Sequence, residues 1–261
     1  MTKIVKATRR DLLKYACSGI LLKQLRSQGL PFPGIKLIPA APSGPAFINW
    51  SAWNGAGPGG TTPGLTSTGA TILLFGLVAD NADSTTATVS DSNGNTWNHL
   101  TNYATSPFAQ VSIWYAWQHA GGALVVGSGH TLTFSGANSV GGVFAAFSGT
   151  LTSGDPYDTP NQNGAGNSGY TGTQQTGSIT PSANNALIFT IVGTGTGAGN
   201  FPDTIDSGFA TPISSASTVY GDNGVCASYL VQGTAATVNP TWANGSGMGH
   251  TDAAIAAFKA Q

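Results

Sequence analysis

The chain has 261 residues, of which only 7% are charged and none is glutamate. Its formal net charge of −1 hides a segregation: eight of the nine lysines and arginines lie within residues 3–36, whereas nine of the ten aspartates lie beyond residue 42. An acidic body with one cation lacks the basic surface that phosphate groups need. This excludes nucleic-acid binding except through residues 1–36.

Residues 8–14, TRRDLLK, lie in the basic N-terminal segment. They resemble a twin-arginine export signal, with Arg9 and Arg10 as the arginine pair and leucine where the pattern has phenylalanine. An apolar run over residues 15–22 and small residues at 39–41 add the other features of such a segment. The resemblance implies export, a mature chain that begins near residue 42, and a secreted or cell-surface protein.

The same segment also fits a retained amphipathic helix over about residues 8–28, ended by Gly29 and Pro31, that docks on a partner or a membrane surface. Lys23 and Arg26 limit the apolar run to eight residues. No stretch of the chain reaches the length of a transmembrane helix. Residues 1–41 are therefore a signal-like or docking segment, and residues 42–261 are the body.

Short runs of β-branched and aromatic residues alternate in the body with Gly, Ser, Thr and Asn, which is typical of many short strands and tight turns. Strands are predicted at residues 46–53, 71–79, 86–90, 96–103, 110–118, 131–135, 140–148, 186–193, 209–213, 217–220, 225–232, 237–242 and 253–259. The Asn-Gly pair at 93–94 predicts a hairpin between strands 86–90 and 96–103. The polar segment 149–184 is predicted to be a loop that crosses the fold.

Two blocks of the body recur at an offset of 114 residues: 71–79 matches 185–193, and 111–118 matches 225–232. The six identical pairs among 17 aligned positions are Leu73/Leu187, Phe75/Phe189, Val78/Val192, Val111/Val225, Tyr115/Tyr229 and Gln118/Gln232. Residues 144–148 match 255–259 at an offset of 111. Such self-similarity indicates two copies of one strand set, over about residues 65–149 and 179–260.

Each copy alone would leave sheet edges and an apolar face exposed. We therefore expect one all-β domain over residues 42–261, built as two antiparallel sheets packed face to face in a β-sandwich or jelly roll, and preceded by a short N-terminal helix. Two independent domains are the alternative.

Trp97 and Trp114 are the candidate ligand-binding residues. Exposed aromatic rings on a β-sandwich hold sugars by stacking on their apolar C–H faces. Trp114 and Trp117 lie three apart on one strand, so they face opposite sides and cannot both be core. The alternative for each tryptophan is ordinary core packing.

Asp91, Asn93 and Asn95 place three oxygen-bearing side chains at alternate positions, as calcium loops do, and are the candidate metal ligands. The stretch lacks the glutamate that closes an EF-hand loop, and Asx residues are ordinary in turns. No other cofactor is expected. The four histidines show no zinc spacing, no Gly-x-Ser-x-Gly motif occurs, and no pair of aspartates stands out as catalytic.

The repeated strand, the sequence SDSNGNTW at 90–97 and FSG at 147–149 resemble features of secreted bacterial and phage-associated β-sandwich modules of unassigned function. The resemblance covers residues 65–259 and implies extracellular display with binding or scaffolding. The first hypothesis is a non-enzymatic, adhesin-like module that binds a glycan or another cell-surface polymer. The second is a self-assembling structural subunit of a virion, fibre or filament that keeps its basic arm. The third is a hydrolase.

Overall fold

The computed structural model describes residues 44–79, 87–104, 110–194, 202, 204–211, 213–216 and 224–261. Every regular element in these ranges is a β-strand, which confirms the predicted all-β class. Pro42–Gln261 form one compact unit. The predicted N-terminal helix and the export residues Arg9 and Arg10 lie outside the described ranges. Within those ranges no helix is long and apolar enough to cross a membrane.

Thirteen strands lie within the described residues. They are β1 (Ala46–Thr61), β2 (Ile72–Ala79), β3 (Thr88–Asp91), β4 (Thr96–His99), β5 (Gln110–His119), β6 (Gly122–Ala123), β7 (Leu132–Ser148), β8 (Tyr157–Gln175), β9 (Ala186–Thr194), β10 (Thr204–Ile205), β11 (Ile213–Ala216), β12 (Gly224–Gln232) and β13 (Thr241–Phe258).

Two antiparallel sheets contain all of these strands. The first has the order β1-β7-β2-β5-β4, with β3 paired to β7 and β6 paired to β5. The second has the order β10-β13-β9-β12-β11, with β8 paired to β13. The apolar runs β2 and β9 lie in the interior of their sheets, and every residue of both strands is buried. A strand with neighbours on both edges and side chains covered on both faces reads as a continuous apolar run.

One buried cluster, here called the shared cluster, takes side chains from both sheets. Its members are Ile72, Leu74, Val78, Leu100, Val111, Ile113, Tyr115, Val143, Ala145, Phe147, Leu187, Phe189, Ile191, Val225, Ala227, Ala254, Ala256 and Phe258. A Cβ at Gly76 of the first sheet would lie 2.3 Å from Ile191 Cγ2 of the second, and a Cβ at Gly193 would lie 2.7 Å from Val78 Cγ1. Each sheet therefore receives branched side chains of the other at a glycine.

The opposite faces of both sheets are also covered. On the first sheet, Leu73, Phe75 and Leu77 join Trp114, Phe134 and their neighbours in an outer cluster beneath the segments around Leu65 and Leu132. On the second sheet, Ile188 and Ile255 pack with Ile179, and Val192 packs with Trp242.

Several predictions of individual strands and turns are wrong. Strands β3 and β4 do not form the expected hairpin, because β3 pairs with β7 and β4 pairs with β5. The expected loop 149–184 is largely β8, an edge strand that pairs with β13 alone. Two predicted strands merge in β7 and two in β13, across glycine-containing stretches that had suggested turns. Residues 209–211 are not a strand, and 217–220 lie outside the described ranges.

The two sheets share a succession of strands. Three adjacent strands of the first, β7-β2-β5, follow each other as β13-β9-β12 do in the second, and β3 pairs with β7 as β10 pairs with β13. At the offset of 114, Val111 of β5 and Val225 of β12 both lie in the shared cluster.

The same offset fails for β2 and β9. It aligns Leu73 with Leu187, but Leu73 lies in the outer cluster and Leu187 in the shared cluster. An offset of 115 instead aligns Ile72 with Leu187 and Leu74 with Phe189, all four in the shared cluster. Because side chains alternate along a strand, a shift of one residue exchanges the two faces. The sequence identities in this block are therefore out of register with the structure.

Candidate functional site

All five residues that the sequence singled out for binding lie on the first sheet. Asp91 ends β3, Asn93 and Asn95 form the turn that follows, Trp97 lies in β4, and Trp114 lies in β5. Strands β4 and β5 are paired, with Trp97 opposite Ala116. The sheet therefore gathers these residues into one region.

The Asp91 carboxylate is the centre of this turn. Its Oδ1 accepts the backbone N–H groups of Asn93 (2.9 Å) and Asn95 (3.1 Å), and its Oδ2 accepts Asn95 Nδ2 (3.0 Å) and Trp97 Nε1 (2.9 Å). His130 Nε2 approaches Oδ2 at 3.4 Å. Burial alone raises the pKa of Asp91, but these donors outweigh it and lower the pKa to about 2.

The same contacts bear on the candidate calcium ligands. Both oxygens of Asp91 accept N–H donors, and Asn95 Oδ1 accepts the backbone N–H of Val125 at 2.8 Å. Calcium needs six to eight oxygens directed at one point. The described residues contain no group of three or more His, Cys, Asp or Glu that could hold a metal ion. Calcium binding at Asp91, Asn93 and Asn95 stays a prediction, while the observed contacts close the turn with protein donors.

The two candidate tryptophans are engaged in packing. Trp114 is 8% exposed and donates its Nε1–H to Ser112 Oγ at 3.1 Å. The His99 ring stacks on the Trp114 ring, with the two ring centroids 3.9 Å apart. Trp97 is half-buried, and its ring lies 6.1 Å from that of Phe144 in an edge contact. Ligand binding by Trp97 and Trp114 stays a prediction, and a ligand on Trp114 would have to displace His99.

A serine, a histidine and an aspartate meet behind the turn, and sequence spacing gave no sign of it. Ser67 Oγ lies 2.8 Å from His130 Nδ1, and His130 Nε2 lies 3.4 Å from Asp91. A nucleophile must reach its substrate, but Ser67 is 0% exposed, and its Oγ also bonds Gly127 N at 3.0 Å and Gly127 O at 3.2 Å. The arrangement is a buried brace between loops.

An open cleft of about 430 Å³ lies beside this brace. It is lined by Ala70, Thr71, Trp117, Gln118, Gly121, Gly122, Ala123, Leu124, Thr152 and Ser153. Trp117 and Gln118 lie near the end of β5, where the strand changes from buried to half-buried residues. The volume falls within the range of small-molecule sites. The lining combines one aromatic side chain, Trp117, with the amide of Gln118 and several hydroxyls.

One wall of the cleft, Gly121 to Leu124, is attached to the sheet at two places. Its middle residues form β6, which pairs with the end of β5 as Gly122 opposite His119 and Ala123 opposite Gln118. At the end, the side-chain amide of Asn95 bonds both backbone groups of Val125. The Asp91 turn thus supports the wall of the cleft.

The facing wall contains Thr152 and Ser153, and side chains of β5 and of the residue that precedes β2 bond residues on either side of these two. Thr71 Oγ1 accepts the backbone N–H of Thr150 at 2.9 Å. Tyr115, two residues before Trp117 on β5, donates its hydroxyl to Asp155 Oδ2 at 2.9 Å. Burial and the Asp155 carboxylate raise the pKa of Tyr115 well above its usual value, so the phenol stays a donor throughout the physiological range.

Among the described residues that line the cleft, none has an acidic, basic or histidine side chain. General acid–base catalysis and nucleophilic catalysis need titratable or activated groups, which these residues do not provide. Sequence reasoning placed Trp117 opposite Trp114 but did not select it. The distinguishing signal was position, since Trp117 is two residues from the strand end and Trp114 is not.

Neither a protein-family model nor a curated protein matches this chain. Inferences about its function therefore rest on the site geometry.

Proposed function

We propose that this protein is an exported, non-enzymatic binding module that holds a neutral glycan in the Trp117 cleft. The observation that carries the proposal is one partly exposed indole, that of Trp117, together with Gln118, Thr152 and Ser153 in a cleft whose described lining residues carry no charge. Sugar rings present apolar C–H faces and a rim of hydroxyls. Indoles provide a large apolar surface, while amides and hydroxyls both donate and accept hydrogen bonds.

The uncharged side chains of the described lining residues favour one ligand class. An acidic sugar would leave its carboxylate without a cationic partner, and a charge removed from water without a partner is costly. The body adds a general bias, since it carries one cation against nine aspartates. We therefore expect oligosaccharides of neutral hexoses or N-acetylhexosamines to bind better than oligosaccharides that contain uronic or sialic acids.

The proposed architecture is a β-sandwich of two copies, whose shared cluster forms the interior. The common strand succession and the reciprocal glycine contacts support it. In the second copy Val231 takes the position of Trp117 at the offset of 114, and Gln232 Oε1 accepts the N–H of Ala236 at 3.3 Å. The second copy thus lacks the aromatic surface, and we propose one glycan site per chain.

The proposal is tested by screening the full chain on an array of neutral and acidic glycans and then measuring the affinity for the best ligand by calorimetry. Trp117→Ala should weaken binding by about 2 kcal/mol, roughly thirtyfold in Kd, as for an aromatic residue central to a contact. Trp50→Ala is the matched control, because Trp50 is 41% exposed but lies on β1, three strands from β5. Equal binding by wild type and Trp117→Ala, or a preference for acidic glycans, would contradict the proposal.

Export is the second part of the proposal and is tested separately. Mass spectrometry of the protein recovered from the producing cell should find a mature N-terminus near residue 42. An intact Met1 within an assembled particle would instead favour the structural-subunit alternative.

A further inference from the structure

We propose that Asn95 is a positioning residue for the Trp117 cleft and sets its glycan affinity through the backbone of Val125. This inference rests on the proposed glycan binding. Asn95 itself does not line the cleft, so its effect must pass through the wall from Gly121 to Leu124.

The side chain of Asn95 pairs with Val125 as a neighbouring strand would. Asn95 Nδ2 donates to Val125 O at 2.9 Å, and Val125 N donates to Asn95 Oδ1 at 2.8 Å. Both backbone groups of one residue are thus held by one planar amide. The adjacent Asn93 offers only a longer donor to the same carbonyl, at 3.2 Å.

Apart from the pairing of β6 with the end of β5, the wall has few contacts to hold it. Gly121, Gly122 and Ala123 are exposed, and Val125 is 40% exposed, so these residues bury little apolar surface. Leu124 packs only partly against the outer cluster. Segments with few buried apolar contacts open at low free energy. The β6 pairing and the bonds from Asn95 to Val125 therefore decide the position of the wall.

Asn95 can perform this role because it is itself fixed. It is 8% exposed, its backbone N–H bonds Asp91 Oδ1, and its Nδ2 also bonds Asp91 Oδ2. The Asp91 carboxylate thus orients the amide so that its oxygen and its second N–H face Val125. An aspartate at position 95 would lose both donors and place a second negative charge beside Asp91.

The first test is amide hydrogen exchange of the full chain without glycan. The Val125 N–H should be protected in wild type and should exchange about tenfold faster in Asn95→Leu, because the hydrogen bond to Asn95 Oδ1 that protects it is lost. Unchanged protection would overturn the inference. This readout does not depend on any ligand, so it separates a failure here from a failure of the proposed function.

The second test compares affinity with stability. Asn95→Leu and Asn95→Asp should raise the Kd for the array-selected neutral glycan about tenfold at 10 °C. Thr190→Val is the matched control. It removes a buried hydroxyl that bonds Trp242 Nε1 and Ala254 O in the second sheet, so it should lower Tm and leave Kd unchanged.

The outcomes divide clearly. A wild-type Kd in both Asn95 variants, with binding lost in Trp117→Ala, would overturn the positioning role and leave glycan binding standing. An equal loss of affinity in Thr190→Val would show that Kd follows stability alone and would also overturn it. If Asn95→Leu fails to fold, Asn95→Asp carries the affinity test alone, since it loses the bond to Val125 O while its Oδ1 can still accept the Val125 N–H.

Discussion

Replacing Gly76 by alanine directly tests the packing of one sheet against the other. A Cβ at this position would lie 2.3 Å from Ile191 Cγ2 and 3.4 Å from Ile191 Cβ. Ile191 is fully buried, and its branched Cβ restricts χ1, so the methyl group cannot swing aside. Overpacking of this kind costs about 1–3 kcal/mol.

The size of the clash can be isolated by a double-mutant cycle. Ile191→Ala alone should cost about 2–5 kcal/mol, because it removes buried methyl groups and leaves a cavity. In the double variant the methyl group introduced at position 76 enters the space that the Ile191 side chain has left. We therefore expect the double variant to be at least about 1 kcal/mol more stable than the sum of the single changes implies.

Urea unfolding followed by tryptophan fluorescence measures all four proteins of the cycle. Gly233→Ala is the matched control: a Cβ there meets nothing within 4 Å, so the change should stay within about 0.5 kcal/mol of wild type. Additive costs for Gly76→Ala and Ile191→Ala would refute a direct contact between the sheets at this point.

Three further changes have defined outcomes. The pKa of Asp91, about 2, lies below its ordinary value of 3.8, so the ionised carboxylate stabilises the folded state above pH 4 and this stabilisation is lost as the pH falls towards 2. Asp91→Asn should therefore lower the free energy of unfolding in urea by about 2 kcal/mol at pH 7 and flatten its pH dependence between 4 and 2. Trp114→Ala should lower stability by about 3–5 kcal/mol in the same assay, well beyond the loss for the half-buried Trp117. Tyr115→Phe should cost about 1.5 kcal/mol and raise the glycan Kd in calorimetry, because the loop with Thr152 and Ser153 loses its bond through Asp155.

The sequence predicted the class and most central strands because those strands are continuous apolar runs. It could not predict β8, since an edge strand that is half-exposed and rich in Gly and Asn buries too little to show a period. It also misjudged the Asn-Gly turn. The donors that Asp91 collects, Trp97 and Asn95 among them, stabilise a turn whose flanking strands diverge to different partners.

The register of the repeated sequence blocks shows a second limit of prediction from the sequence. Large apolar side chains occupy both faces of β2 and β9, because each strand is buried on both sides. The identity of Leu73 and Leu187 therefore does not show that they lie on equivalent faces. The strand pairing in the two sheets gives an offset of 115 for these strands. The cleft was hidden for a related reason: its walls come from residues 70–71, 117–124 and 152–153, which only the folded sheets bring together.

A titration of the ¹⁵N-labelled full chain with the array-selected neutral glycan, followed by the indole N–H resonances, tests the Trp117 cleft most directly. We expect the Trp117 signal to shift with the glycan, while those of Trp50 on the distant edge and of Trp242, whose Nε1–H bonds Thr190 Oγ1 at 3.2 Å in the second sheet, stay in place. Shifts at Trp50 or Trp242 with none at Trp117 would show that the glycan binds elsewhere and would contradict the proposed site.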